Sequence, residues 1–141
     1  MRILVIIMVM LCLAIPVCLS AQQACFKDIC FDVELAITPS ERNQGLTYKE
    51  VLDRDSGMLF VYDKEDKQCF WMKNMLIPLD IIWLNKDKEV VHIQENAQPC
   101  EGSLCSEICP EQKAKYVLEL NAGTCDLLDL GLGDELSFDY P

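Results

Sequence analysis

The sequence predicts one mainly β domain, a β-sandwich or a barrel-like fold with one short helix at about residues 39–51. Two observations predict this class. Short apolar or alternating segments recur at near-regular spacing after residue 24, with turn-forming residues between them. In addition, a single segment has a strong helix start. The chain has 141 residues, which is enough for one domain with its own hydrophobic core.

A strand followed by a helix is predicted at the start of the domain. Residues 31–37 alternate between apolar and polar side chains, which is typical of a half-buried strand. Thr38 can cap a helix, Pro39 suits its first position, and Glu41 completes a capping box. Gly45 weakens the second half of this helix.

The other elements are predicted from short apolar runs. Turn-forming or charged residues bound each run, as expected for strands in an all-β domain. The predicted strands are residues 58–62, 70–75, 80–85, 89–93, 115–121 and 135–140, with a short helix at 124–130. Residues 95–112 show no periodicity and hold three cysteines, so they are predicted to form one long loop stapled by disulfides.

The N-terminal residues have the pattern of a secretory signal peptide. An early arginine precedes an almost wholly apolar run at 3–19, and the small residues Ser20 and Ala21 follow it. This order predicts a signal peptide at 1–21, cleaved after Ser20 or Ala21, and an extracytoplasmic domain at 25–141, secreted or periplasmic. An uncleaved membrane anchor is the alternative, because the apolar run approaches the length that spans a bilayer.

The charge of the chain limits its partners. There are 23 acidic and 12 basic residues, a net charge of −11, and loss of the arginine in the N-terminal segment would leave −12. Such a surface repels phosphate backbones and anionic lipids. Nucleic acid and membrane surfaces are therefore excluded as expected partners, and the sequence leaves the oligomeric state open.

Cysteine usage supports export. Of nine cysteines, two lie in the predicted signal peptide and seven in the domain. Exported proteins keep disulfides, and an odd number leaves one thiol without an intramolecular partner. Cys25 and Cys30 can close a short loop, and two of the three cysteines at 100–109 can staple the long loop. The disulfide candidates are Cys25, Cys30, Cys69, Cys100, Cys105, Cys109 and Cys125.

Residues 70–80 place polar side chains in a mostly apolar stretch, FWMKNMLIPLD. Lys73, Asn74 and Asp80 would each lose water on burial and would each need a partner. The segment therefore indicates either a buried polar network or the wall of a site.

Glu119 poses the same question, because it is a carboxylate in an otherwise apolar strand. Arg42 and Lys73 are the candidate cations, and Arg42 fits better because its planar guanidinium matches a carboxylate with two hydrogen bonds. An Arg42–Glu119 pair would either fix the helix on the sheet or form the polar floor of a cleft for a small anionic or sugar-like ligand.

Several blocks of the chain resemble the domain-of-unknown-function 192 family. They are VELA at 33–36, ER at 41–42, GL at 45–46, GMLFVY at 57–62, FWMKNMLIPLDII at 70–82, Pro99, YVLELNAG at 116–123 and GLGD at 131–134. Thr47 and Met75 depart from the family pattern, which usually has methionine and threonine there. The resemblance spans about residues 31–138 and implies a compact β-sandwich, often exported, with no established activity.

These observations favour a non-catalytic binding or accessory module for a small polar ligand or an envelope component. No cofactor and no metal site is predicted. Loops on a rigid sheet commonly carry specificity, so the 95–112 loop is expected at the rim of the site. The candidate surface consists of Arg42, Trp71, Lys73, Asn74, Asp80 and Glu119.

Two alternatives stay open at this point. The first is an extracytoplasmic hydrolase that uses Asp80 or Glu119 as acid or base, or both as a pair, as in glycoside cleavage. The second is a copper-handling protein, since soft and imidazole donors can hold Cu(I). Against copper, methionine is a common filler of irregular cores. The donors would be Met58, Met72, Met75 and His92.

Overall fold

The structure is a computed structural model that describes residues 22–140, so the predicted signal peptide lies outside it. Its strands are β1 (Gln23–Phe26), β2 (Ile29–Ala36), β3 (Ser56–Asp66), β4 (Leu79–Leu84), β5 (Val90–Ala97), β6 (Ala114–Asn121) and β7 (Ser137–Phe138). The α-helices are α1 (Pro39–Gln44) and α2 (Thr124–Leu128), and one 3₁₀ turn covers Gly102–Leu104. Within these residues no helix is long and apolar enough to cross a membrane.

The seven strands form one curled sheet in the order β5-β4-β6-β3-β2-β1-β7. β2 and β3 run parallel, joined through α1, and the other neighbouring pairs are antiparallel. A bridge between Glu89 and Glu135 brings the two ends of the sheet together, and the Val90 N–H donates to the Asp134 carbonyl at 2.7 Å. The predicted mainly β fold is confirmed, and a single sheet with meeting ends corresponds to its barrel-like form.

An apolar cluster covers each face of the sheet. Along β4, Ile82 and Leu84 contribute to the first cluster, which β1, β2 and β7 enclose. Ile81 and Trp83 contribute to the second, which is covered by the chain around residues 46–52 and 70–79. Because both faces are covered, β4 is buried at every position, and its sequence is a near-continuous apolar run.

The first helix is shorter than predicted. The capping box forms, with the Thr38 side chain accepting from the Glu41 N–H and the Glu41 carboxylate accepting from the Thr38 N–H. However, α1 ends at Gln44 instead of continuing to residue 51. Gly45 has φ +48°, and a Cβ there would lie 3.3 Å from the Phe60 ring. Since L side chains rarely adopt this conformation, glycine ends the helix and the chain turns across the sheet.

The predicted strand at residues 70–75 is wrong. Only isolated bridges form there, one of them between Phe70 and Ile108. Asn74 has φ +60°, and Met72 and Met75 are both buried although an extended strand would direct them to opposite faces. The segment turns because it lies over a face of the sheet instead of adding a strand to it.

Three disulfides join Cys25 to Cys30, Cys69 to Cys109 and Cys100 to Cys105. The local pairing of Cys25 with Cys30 and a staple inside the 100–109 loop are confirmed. The third bond was not predicted, and it ties that loop to the segment that begins at Cys69. Among the seven cysteines at 22–140, Cys125 is buried and unpaired.

Removal of Cys69–Cys109 is expected to destabilise the fold about twice as much as removal of Cys25–Cys30. The two sequence separations are 40 and 5 residues. Loop-closure entropy then predicts that the free energy of unfolding falls by about 4 kcal/mol without Cys69–Cys109 and by about 2 kcal/mol without Cys25–Cys30. Urea unfolding of the two double-serine variants measures both, and equal losses would contradict the expectation.

Candidate functional site

Glu119 carries the buried carboxyl group of the candidate site. It lies on β6 between Met58 of β3 and Ile81 of β4. The residue is 5% exposed, and its Oε2 atom has no hydrogen-bond partner among the described residues. Burial raises the pKa of Glu119 from 4.5 to about 8. The group is therefore mostly protonated at neutral pH and can both donate and accept a hydrogen bond.

The predicted Arg42–Glu119 ion pair does not form. Arg42 Nη1 donates to the backbone carbonyls of Ile37 and of Val61, the latter at 2.9 Å. Its guanidinium carbon also lies 4.8 Å from the centre of the Tyr62 ring. Neither of the two ion pairs found within residues 22–140 includes Arg42. Arg42 instead ties α1 to the chain after β2 and to β3.

A cleft of about 390 Å³ lies between α1, β3 and the segment that follows Cys69. Four of the six candidate residues line it, and Glu119 is the buried polar group among them. Trp71 is 55% exposed, and the Lys73 ammonium lies 5.6 Å from the centre of its ring. The lining candidates are Arg42, Trp71, Lys73 and Glu119.

An aromatic wall, defined as Phe60, Tyr62, Phe70 and Trp71, forms much of the lining of the cleft. The rings of Phe60 and Phe70 meet edge to face at 4.9 Å. Burial raises the pKa of Tyr62 to about 12, with Arg42 opposing and Glu119 adding to this effect. The Tyr62 hydroxyl is therefore neutral and can donate a hydrogen bond.

Three residues that line the site were not predicted from the sequence, namely Phe60, Tyr62 and Phe70. A signal for two of them was present, because Phe60 and Tyr62 alternate with Met58 and so share its face of β3. The sequence did not reveal the register of β3 against β6, which sets Met58 opposite Glu119.

Asp80 and Asn74 lie outside the cleft. Asp80 is fully buried, and its two oxygens accept the backbone N–H groups of Asn96 and Cys125, each at 2.8 Å. Asn74 is exposed at a turn, where its carbonyl accepts the Tyr48 N–H at 3.1 Å. Both residues therefore hold backbone in place.

The sheet register excludes Asp80 and Glu119 as a paired acid and base. Asp80 pairs with Leu120, whereas Glu119 pairs with Ile81. Cross-strand partners share a face and adjacent residues alternate, so the two carboxyl groups point to opposite faces of the sheet. They cannot act together on one bond.

The copper alternative receives little support from the packing. Met58, Met72 and Met75 are all buried in the second apolar cluster, as expected of core filling. The His92 ring packs 5.1 Å from that of Trp83, which belongs to the same cluster. The one His/Cys/Asp/Glu group with metal-ligand spacing within 22–140 is Cys69, Glu107 and Cys109, and its two sulfurs are bonded to each other.

The unpaired thiol of Cys125 is also an unsuitable reactive group. Burial raises the pKa of Cys125, and the Asp80 carboxylate adds to this shift. The residue therefore stays a thiol at neutral pH, and the thiolate is the nucleophilic form.

A second hollow of about 820 Å³ borders α2, and none of the six candidates lines it. Its lining includes Ile29, Leu127 and Asn121, and the Asn121 amide already donates to two backbone carbonyls. The unpartnered carboxyl group distinguishes the smaller cleft as the candidate site.

A small domain with one curled β-sheet and a cleft over a buried acid is thus the class of protein that the fold and site define. The sequence model of the domain-of-unknown-function 192 family, described as "Uncharacterized ACR", matches residues 22–138. The chain belongs to this family. This confirms the resemblance found in the sequence.

Two solved structures are similar to the chain. A "putative transcription regulator" from Sinorhizobium meliloti 1021 is 35% identical, with a TM-score of 0.76, and the match covers 84% of this chain and 94% of that one. A protein of unknown function from Novosphingobium aromaticivorans DSM 12444 is 31% identical, with a TM-score of 0.74 and 83% of each chain covered. No curated protein matches the chain significantly.

Proposed function

We propose that the protein is an exported, non-catalytic binding module that takes a small polar ligand into the cleft over Glu119. The observation that carries this proposal is the buried, unpartnered Oε2 of Glu119. Buried polar groups are nearly always hydrogen-bonded, and an unsatisfied one costs about 1–3 kcal/mol. A ligand that reaches this oxygen would remove that cost.

The size and lining of the cleft support a small ligand. Its volume of about 390 Å³ lies within the range of small-molecule sites, roughly 300–1,000 Å³. Such sites combine apolar and aromatic walls with a few polar groups, and here the aromatic wall lines the same cleft as the buried carboxyl group of Glu119.

The disulfides support both export and a fixed site. Cys69–Cys109 joins a cleft-lining residue to the stapled loop, and Cys100–Cys105 closes that loop. Three disulfides favour an oxidising compartment. The Cys69–Cys109 bond would also hold the neighbouring Trp71 segment in place, which lowers the entropy lost on binding.

Regulation by DNA binding is less well supported for this chain. The name of the Sinorhizobium meliloti protein mentions transcription regulation. A net charge of −11 opposes contact with phosphate backbones, whose neutralisation provides most of the affinity of DNA-binding proteins.

Trp71→Ala is expected to weaken binding of any cleft ligand about tenfold or more, because it removes the most exposed ring of the aromatic wall. The measurement is a ligand-detected NMR screen of neutral, anionic and cationic fragments at pH 7, followed by titration of each hit. Leu76→Ala is the matched control, since Leu76 is an exposed apolar residue of the same segment outside the cleft. Hits whose affinity is the same for Trp71→Ala and Leu76→Ala, or a screen without hits, would contradict the proposed function.

A further inference from the structure

We infer that the ligand of this cleft carries one protonated amino group next to an apolar body, and that Glu119 and the aromatic wall bind the amino group. This inference rests on the proposed function and specifies the chemical class of its ligand. It departs from the anionic or sugar-like ligand that the sequence suggested, because the predicted Arg42–Glu119 pair does not form.

The buried carboxyl group of Glu119 favours a cationic ligand. A carboxylate forms its strongest hydrogen bonds with cationic donors, and an ammonium group supplies three of them. Glu119 Oε2 has no partner in the described part of the chain. When an ammonium group enters the cleft, the Glu119 carboxyl group releases its proton to solvent, which leaves an ammonium–carboxylate pair.

The aromatic wall supplies the second argument. Rings attract cations that lie within about 6 Å of their centres, and aromatic cages recognise ammonium ligands in this way. Two rings of the wall already attract cations of the protein itself, Arg42 at Tyr62 and Lys73 at Trp71. Phe60 is only 2% exposed, whereas Phe70 is partly buried, lines the same cleft and has no cation over its ring among the described residues.

The charged groups around the cleft limit the ligand to one positive charge. The titratable and charged groups that line it are Arg42, Tyr62, Lys73, Glu107 and Glu119. Arg42 is committed to backbone carbonyls and Lys73 is exposed, so neither neutralises Glu119. Both repel any positive charge on the ligand, so the ligand carries no more than the one charge that the Glu119 carboxylate offsets. The net charge of −11 favours the approach of a cation over that of an anion.

The test compares three probes of equal length: n-butylammonium, n-butanol and butyrate. Their affinities are measured by NMR titration of the wild-type protein at pH 6, 7.5 and 9. We expect butylammonium to bind best, with an affinity that rises about 10- to 100-fold from pH 6 to pH 9 as Glu119 loses its proton more easily. Glu119→Gln should lower the affinity at pH 9 at least tenfold and abolish the pH dependence.

Glu50→Gln is the matched control, because it removes an exposed carboxylate outside the cleft and should leave the affinity unchanged. Tighter binding of butanol or butyrate would overturn the amine inference and leave the proposed function in place. A butylammonium affinity that is flat or falls with pH would also overturn the inference, even if the Glu119 variant did not fold. A fragment screen that finds no cleft ligand of any charge would refute both.

Discussion

Asp80→Ala is expected to destabilise the fold by about 3 kcal/mol or more. Asp80 is fully buried, and its carboxylate accepts the backbone N–H groups of Asn96 and Cys125. Alanine removes both acceptors, and a buried donor left unsatisfied costs about 1–3 kcal/mol. The two contacts also join β4 to the end of β5 and to the start of α2, so the loss is global and not confined to one loop.

Urea unfolding at pH 7 measures this loss. Asp80→Asn retains one acceptor oxygen and should cost about half as much as alanine. Asp63→Ala is the control, because Asp63 is an exposed residue of β3 and its replacement should change stability by no more than about 0.5 kcal/mol. A loss below about 1 kcal/mol for Asp80→Ala would show that the two backbone groups find other partners.

Glu119→Gln is expected to remove most of the pH dependence of stability between pH 5 and pH 8. The folded-state pKa of Glu119, about 8, lies above its ordinary value of 4.5. The folded protein therefore binds this proton more tightly than the unfolded chain does. The stability that this proton contributes is fully present below pH 4.5 and is lost as the pH rises through 8. The total loss in the free energy of unfolding is up to about 5 kcal/mol. Glutamine carries no charge at any of these pH values.

The variant should thus be more stable than the wild type at pH 9, by roughly 2 kcal/mol or more, because no charge is buried. Urea unfolding at pH 5, 7 and 9 gives the profile of each protein. Glu50→Gln, which removes an exposed carboxylate, should keep the wild-type profile. Parallel profiles for Glu119→Gln and the wild type would mean that the buried carboxyl group has an ordinary pKa.

Sequence reasoning identified the unusual polar residues but not their partners. Asp80 and Glu119 were recognisable because a carboxylate in an apolar strand needs an explanation. Whether they share a face depends on how β4 and β6 align, and this register arises from long-range contacts. The same information was needed to see that Arg42 bonds to the carbonyls of Ile37 and Val61.

Local signals predicted local structure well and long-range structure poorly. The capping box at Thr38 and the short Cys25–Cys30 loop are encoded within a few residues, and both were predicted. The Cys69–Cys109 bond closes a separation of 40 residues, which spacing alone does not reveal. The turn at Asn74 was missed because apolar residues at 70–75 suit either a strand or a segment that covers one.

We propose that the cleft is a binding site built around the buried carboxyl group of Glu119, whose Oε2 has no partner among the described residues. The most direct test is an NMR titration of the Glu119 side-chain carboxyl carbon in the wild-type protein, with and without the best cleft ligand. We expect a pKa near 8 for Glu119 without ligand and a change in that carbon's signal when the ligand binds. A pKa near 4.5, or a signal that no ligand alters, would contradict it.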